Sequence, residues 1–176
     1  MTAIRTSYVR AMAEKVLKES GVREPPVDLK MIVERKGYVY LEVDTFPDNV
    51  SALFIAKDGK KYALVNARHH PHRKRFSLAH ELGHILLCHA TEDLDEVSSI
   101  DAPPESMQHY AGGDPREKEA NVFASALLMP VKMLKAVYSK GADIEKLATV
   151  FGVSQQAMTI AVMNNLSTLT KQVRTP

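Results

Sequence analysis

Residues 80–84 read His80-Glu81-Leu82-Gly83-His84. On a helix, positions i and i+4 share a face, so both imidazoles can reach one metal ion. Glu81 lies about 100° round from His80, off that coordination position but within reach of a water held by the ion. Zinc acidifies such a water and polarises a carbonyl, while the carboxylate takes the proton. That division of labour requires a carboxylate as well as two histidines, and it predicts hydrolysis. A pair of satisfied core histidines would leave Glu81 at that offset unexplained.

The site needs a third protein ligand, with one position left open for water. The best donor lies in DPREKEANVFASALLMP, residues 114–130, which holds two glutamates. Asp114 reads as an N-cap, Pro115 as the first helical residue and Glu117 as N3 of a capping-box-like start. Glu117 is thereby locally explained. Glu119 falls in line with Phe123 and Leu127 on the stripe facing the core, where a carboxylate must be paired or bound to metal. Glu119 is therefore the expected third ligand. Its alternative role is an ion pair with an arginine such as Arg75 or Arg116, and His89, His109 and Glu105 are weaker ligand candidates.

The elements that must position these groups are legible in outline. RFSLAHELGHILL is helical in pattern, with Leu78, Leu82, Leu86 and Ile85 making an apolar stripe beside the histidines. Gly83 alone works against it, by about 1 kcal/mol relative to alanine. This helix is expected to open at Phe76 or Ser77 and run to about His89. The second opens at Asp114-Pro115 and stops at Pro130. Upstream, Ile4, Tyr8, Ala11, Met12 and Val16 outline one face of a helix ending near Gly21, and Asp28 can cap a shorter one through Lys36. Tyr38–Val43 reads as a strand, and Ser51–Ala56 and Lys61–Asn66 flank an Asp58-Gly59 hairpin signal. Downstream, Val131–Tyr138, Asp143–Phe151 and Ser154–Leu166 are helical patterns. Residues 91–113 are polar and without period, an expected loop, and the last ten residues read as a fraying tail.

Composition sets the bounds. The 176 residues suit one domain, with 45% hydrophobic and 25% charged residues, enough for a core without disulfides. Cys88 is the only cysteine, which excludes an intrachain disulfide and a four-cysteine zinc module. No apolar run approaches the roughly 18 residues of a membrane span, and no signal peptide is visible, so a cytoplasmic protein is expected. Lys and Arg number 23 against 21 Asp and Glu, a balance unlike that of a nucleic-acid binder. Locally the chain is asymmetric: residues 68–75, RHHPHRKR, are basic, while residues 91–105 are acidic.

RFSLAHELGH followed by EANVFASALLMP resembles the ImmA/IrrE family of intracellular zinc metallo-endopeptidases, and VSALFIAKDGKKYALVNARHHPHRKRF upstream is similar too. The resemblance covers roughly residues 25–166. It implies an α+β fold: a zincin-like core over residues 1–130, its small β-sheet packed on the HExxH helix, then a helical extension over residues 131–176. It implies one Zn2+ per chain on His80, His84 and Glu119, with Glu81 as general base. It also implies a substrate: a helix-turn-helix repressor of a mobile element, phage or stress regulon, cut by limited proteolysis.

Residues 144–161 themselves fit a helix-turn-helix pattern, with Val153 and Ser154 at the turn and Ala157, Met158 and Ala161 able to pack inward. From Asp143 to Leu166 the only cation is Lys146, so direct DNA binding is not expected. A helical subdomain packed on the protease, or docking its substrate, is.

Other residues carry less. His69, His70 and His72 are interrupted by Pro71 and read as a solvated basic loop. Arg73, Lys74 and Arg75 read as a solvated face that could meet the acidic 92–105 stretch across the cleft mouth. His109 and Tyr110 are candidates for stabilising an oxyanion. Cys88, four residues beyond His84, fits most simply as a buried small hydrophobe, or else as a redox-sensitive thiol. Two other functions compete: a non-proteolytic antirepressor with a structural zinc site, and an amidase or aminopeptidase acting on small substrates.

Overall fold

Helix boundaries follow from local capping chemistry. In the computed structural model, which describes residues 4–89 and 114–170, the helices are α1 Thr6–Glu19, α2 Leu29–Arg35, α3 Pro71–Leu86, α4 Pro115–Leu128, α5 Val131–Tyr138, α6 Ile144–Phe151 and α7 Gln155–Leu169. Asp28, Asp143 and Ser154 cap α2, α6 and α7, each accepting a hydrogen bond from a first-turn N–H, of Met31, Lys146 and Ala157 respectively. Gly152 closes α6 at φ +64°, a left-handed conformation that needs no Cβ.

The strands are β1 Tyr38–Val43, β2 Ala52–Lys57 and β3 Lys60–Asn66, in the order β1-β3-β2. Asp58 and Gly59 both have positive φ, 52° and 72°, as a two-residue hairpin matched to strand twist requires. β2 and β3 are therefore antiparallel, with Ala52 opposite Val65, while β1 runs parallel to β3, Tyr38 opposite Lys61. The fold is α+β.

α3 lies between the sheet, mainly β2, and α4, and α4 in turn packs on α1. α2 covers β1, and α5–α7 pack on one another. The buried side chains form one cluster running from Val9 through Phe54, Leu82 and Phe123 to Phe151 and Met158. Among the described residues, no single helix is long and apolar enough to cross a membrane.

Two local expectations are corrected. α1 buries Val9, Ala13, Val16 and Leu17, not the Ile4–Tyr8 edge, because it turns those residues onto α4. Tyr8 stays on the surface, with the Arg5 guanidinium 5.2 Å from its ring centroid. α3 begins five residues before Phe76: Pro71 sits in its first turn, where the missing N–H costs nothing, and the His70 side chain caps it by accepting from the His72 N–H at 3.2 Å. Pro71 starts the helix instead of interrupting a loop. The expected loop at 91–113, with Glu105, His109 and Tyr110, lies outside the described residues, as does the tail beyond residue 170.

Candidate metal centre

α3 presents His80 and His84 one turn apart toward α4, on the side where Gly83 lets the two helices approach. His80 is buried and His84 nearly so; their Nε2 atoms lie 2.9 Å apart. α4 brings Glu117 to both, with Oε2 3.2 Å from His80 Nε2 and Oε1 3.3 Å from His84 Nε2. Zinc bonds of about 2.0–2.1 Å meeting at tetrahedral angles place neighbouring ligand atoms about 3.3 Å apart. The three separations therefore trace one face of a tetrahedron, and among the described residues this trio is the group able to hold a metal ion.

Hydrogen bonding orients the first imidazole. His80 Nδ1 lies 3.0 Å from Asn121 Oδ1, an oxygen that can only accept, so Nδ1 carries the proton and Nε2 is left as a lone pair. Asn121 stands four residues after Glu117, one turn along the same face of α4. Its Nδ2 has no partner among the described residues.

The electrostatics ask for a cation. Burial alone would lower the His80 pKa, but the hydrogen bond to Glu117, the nearby charges of Glu81 and Glu117 and the bond to Asn121 outweigh it and raise the value. Glu117 is held well below the usual carboxylate range by its bonds to His80 and His84. One shared proton satisfies two of these three donor atoms; a divalent ion satisfies all three, so the set fits zinc. Glu81, next along α3, is 4% exposed and close enough to act on His80.

The structure does not bring Glu119, the expected third ligand, to the histidine pair. Glu119 is buried, as its place on the core stripe requires, but it faces away from the histidine pair. It accepts from the Arg5 backbone N–H at 2.8 Å, from Arg5 Nε at 3.0 Å and from Arg5 Nη2 at 2.6 Å, and from His89 Nε2 at 3.0 Å. Positions 117 and 119 stand about 200° apart round a helix, so only one can face α3. The Arg5 bonds hold the Glu119 carboxyl down to about 2. The anticipated ion pair exists, though with neither arginine proposed. Arg75 instead donates to the carbonyls of Gly152 and Val27 at 3.0 Å, and Arg116 Nη1 reaches the His89 carbonyl at 3.3 Å.

Glu117 is also not a capping residue, since both its carboxylate oxygens are turned to His80 and His84.

The basic stretch is engaged as well. His69 Nδ1 bonds Ser51 Oγ at 2.7 Å, Arg73 Nε donates to the same oxygen at 2.8 Å, and Lys74 pairs with Glu42 at 2.8 Å. These contacts tie the start of α3 to the sheet, and they correct the expected solvated loop.

Cys88 is exposed, contrary to the buried reading, because α3 ends at Leu86 and the chain turns through φ +55° at Cys88. That turn swings His89 back: its N–H donates to the His84 carbonyl at 2.9 Å, and its Nδ1 lies 3.3 Å from His84 Nδ1. Burial pushes the His89 pKa down. Nothing in the sequence pattern singles out this placement, nor Arg5 or Asn121.

The family model described as the IrrE N-terminal-like domain, Peptidase M78, matches residues 39–163. No curated protein matches the chain. A solved structure titled Mycobacterium tuberculosis transcriptional regulator superposes with a TM-score of 0.63 at 23% identity. The alignment covers 96% of this chain and 49% of that one, so this chain spans about half of that protein's length.

Proposed function

We infer function from one premise: the chain belongs to the Peptidase M78 family of IrrE N-terminal-like domains. We propose that it is a zinc-dependent endopeptidase of the cytoplasm, cutting a helix-turn-helix transcriptional repressor by limited proteolysis. The observation that carries this reading is the convergence of His80 Nε2, His84 Nε2 and the Glu117 carboxylate at tetrahedral-edge distances, with Glu81 one residue from the first ligand.

One zinc ion would be held by those three side chains and would supply Lewis acidity toward a scissile carbonyl and an attacking water. The rest falls to the chain. Asn121 fixes the His80 tautomer. The Glu81 carboxylate takes the proton of the attacking water and can return it to the leaving amine. Among the described residues β2 lies at the sheet edge beside α3, so its outer main-chain side can hold an extended peptide, with side-chain pockets setting specificity.

The repressor as target rests on the resemblance of RFSLAHELGH and EANVFASALLMP to the ImmA/IrrE peptidases, and is in keeping with the fold shared with a protein titled a regulator. α6 and α7 carry a single cation, Lys146, which speaks for protein docking over DNA binding by these helices.

Glu81→Gln tests the mechanism. Glutamine keeps the shape and hydrogen bonding of the side chain but cannot accept a proton as a carboxylate does. Incubated with folded candidate repressors, the variant should keep zinc and fold while losing cleavage by at least the roughly 10²–10⁴-fold of general-base catalysis. Cleavage at the parent rate would refute the peptidase reading. Relief of repression without cleavage, by parent and variant alike, would establish the antirepressor instead.

A further inference from the structure

We propose that Arg5, Glu119 and His89 form a positioning relay that sets the tautomer and orientation of His84, so that the N-terminal segment controls metal affinity. This rests on the reading of His84 as a ligand. The proton on each ring is set by the neighbour that ring meets. An ionised Glu119 can only accept, so the 3.0 Å contact from His89 Nε2 places the His89 proton on that nitrogen. His89 Nδ1 is then a lone pair, and the 3.3 Å contact with His84 Nδ1 must be a bond that His84 donates. With its proton on Nδ1, His84 offers a bare Nε2 toward His80 and Glu117. His89 thus does for His84 what Asn121 does for His80.

The relay is anchored from far along the chain. Arg5 reaches Glu119 with its backbone N–H and with two guanidinium nitrogens, across 114 residues of sequence. Its side chain is 52% exposed, against 5% for Glu119, so the anchor sits at the surface while the group it orients is enclosed. Arg5 and all of α1 lie outside the family match at residues 39–163, so the anchor comes from beyond the matched segment. A bidentate guanidinium fixes the carboxylate plane, which a single ammonium cannot do.

Zinc titration of the full chain against a competing chelator reads the relay without any peptidase assay. His89→Ala and Glu119→Gln should each weaken zinc binding by about 10–100-fold, the usual effect of losing a supporting partner. The double variant should be little worse than either single one, since both break the same chain of bonds. Arg5→Ala should weaken zinc in the same direction but less, because its backbone N–H remains, and Arg5→Lys should restore part of the loss. Imidazole 15N shifts should report His84 protonated at Nδ1 in the parent and a mixed tautomer in His89→Ala.

Lower thermal stability with zinc affinity within about twofold of the parent would reduce the cluster to a structural ion pair and overturn the proposal. A loss in His89→Ala as deep as in His84→Ala would make His89 a ligand, and would overturn it too. Failure of the site reading looks different: the parent would bind no zinc, or Glu117→Ala would bind it as tightly as the parent. Arg5→Lys and Arg5→Ala alter an exposed side chain, so they keep the test open if the buried variants do not fold.

Discussion

A Cβ built on Gly83 would lie 3.0 Å from Cδ1 of Phe123 and 3.2 Å from its Cβ and Cγ. Gly83 sits inside the HExxH segment of α3, and Phe123 lies six residues beyond Glu117 on α4, so this contact sets how closely the helices that carry His80, His84 and Glu117 approach. Gly83→Ala gains about 1 kcal/mol of helix propensity. Forcing a methyl group into a packed contact costs about 1–3 kcal/mol. The expected balance is a stability loss of up to about 2 kcal/mol, together with weaker zinc binding because α4 is pushed away. Urea denaturation and metal titration check both. A more stable variant with unchanged affinity would mean that Phe123 moves aside freely.

The phase of α4 makes a second prediction. Glu117→Ala should lower zinc affinity by more than the roughly 10–100-fold typical of a supporting residue, since it removes a direct ligand. Helix α4 should survive, because Asp114 caps it through Arg116 without help from residue 117. A zinc titration in which Glu117→Ala matches the parent, with Glu119→Ala losing all affinity, would restore Glu119 as the ligand.

Zinc should stabilise the fold by mass action. At a hundredfold excess over the dissociation constant the gain is about 2.7 kcal/mol, which for a chain of this size raises Tm by roughly 5–10 °C. A chelator should remove the shift, and His80→Ala should never show it. Scanning calorimetry with one equivalent of zinc and then a chelator is the measurement; an unmoved Tm would speak against a site formed in the native state.

Alkaline stability should depend on Tyr40. Burial, followed by the nearby Glu42 charge, pushes its phenol up to about 12, and its hydroxyl donates to Glu42 Oε1 at 3.1 Å. The folded state therefore keeps the proton where the unfolded chain, with its ordinary value near 10, gives it up. The contribution is intact below the unfolded value and is lost as pH rises from about 10 to about 12. Tyr40→Phe should flatten the fall in unfolding free energy across that window. An equally steep fall in the variant would assign the alkaline sensitivity to another group.

What the sequence determined by itself was whatever depends on spacing along one element. His80, Glu81 and His84 fix their own relation because 3.6 residues per turn places i and i+4 together, whatever α3 packs against. Asp28, Asp143 and Ser154 cap their helices through bonds three residues long, and Asp58-Gly59 turns its hairpin through its own two dihedral pairs. The choice between Glu117 and Glu119 is of another kind. Both lie within one turn of α4, and their roles depend on how α4 is rotated against α3, which the Gly83–Phe123 contact and the pull of Arg5 on Glu119 decide. Local sequence offers Glu117 a place at the start of α4, and tertiary packing turns it toward the histidines instead. His89 reaches His84 only because α3 ends at Leu86 and the chain reverses at Cys88, and Arg5 reaches Glu119 only because α1 packs on α4. Local hydrogen bonds are written in local sequence; the rotation of one helix against another is a sum over distant contacts, and only the folded chain evaluates it.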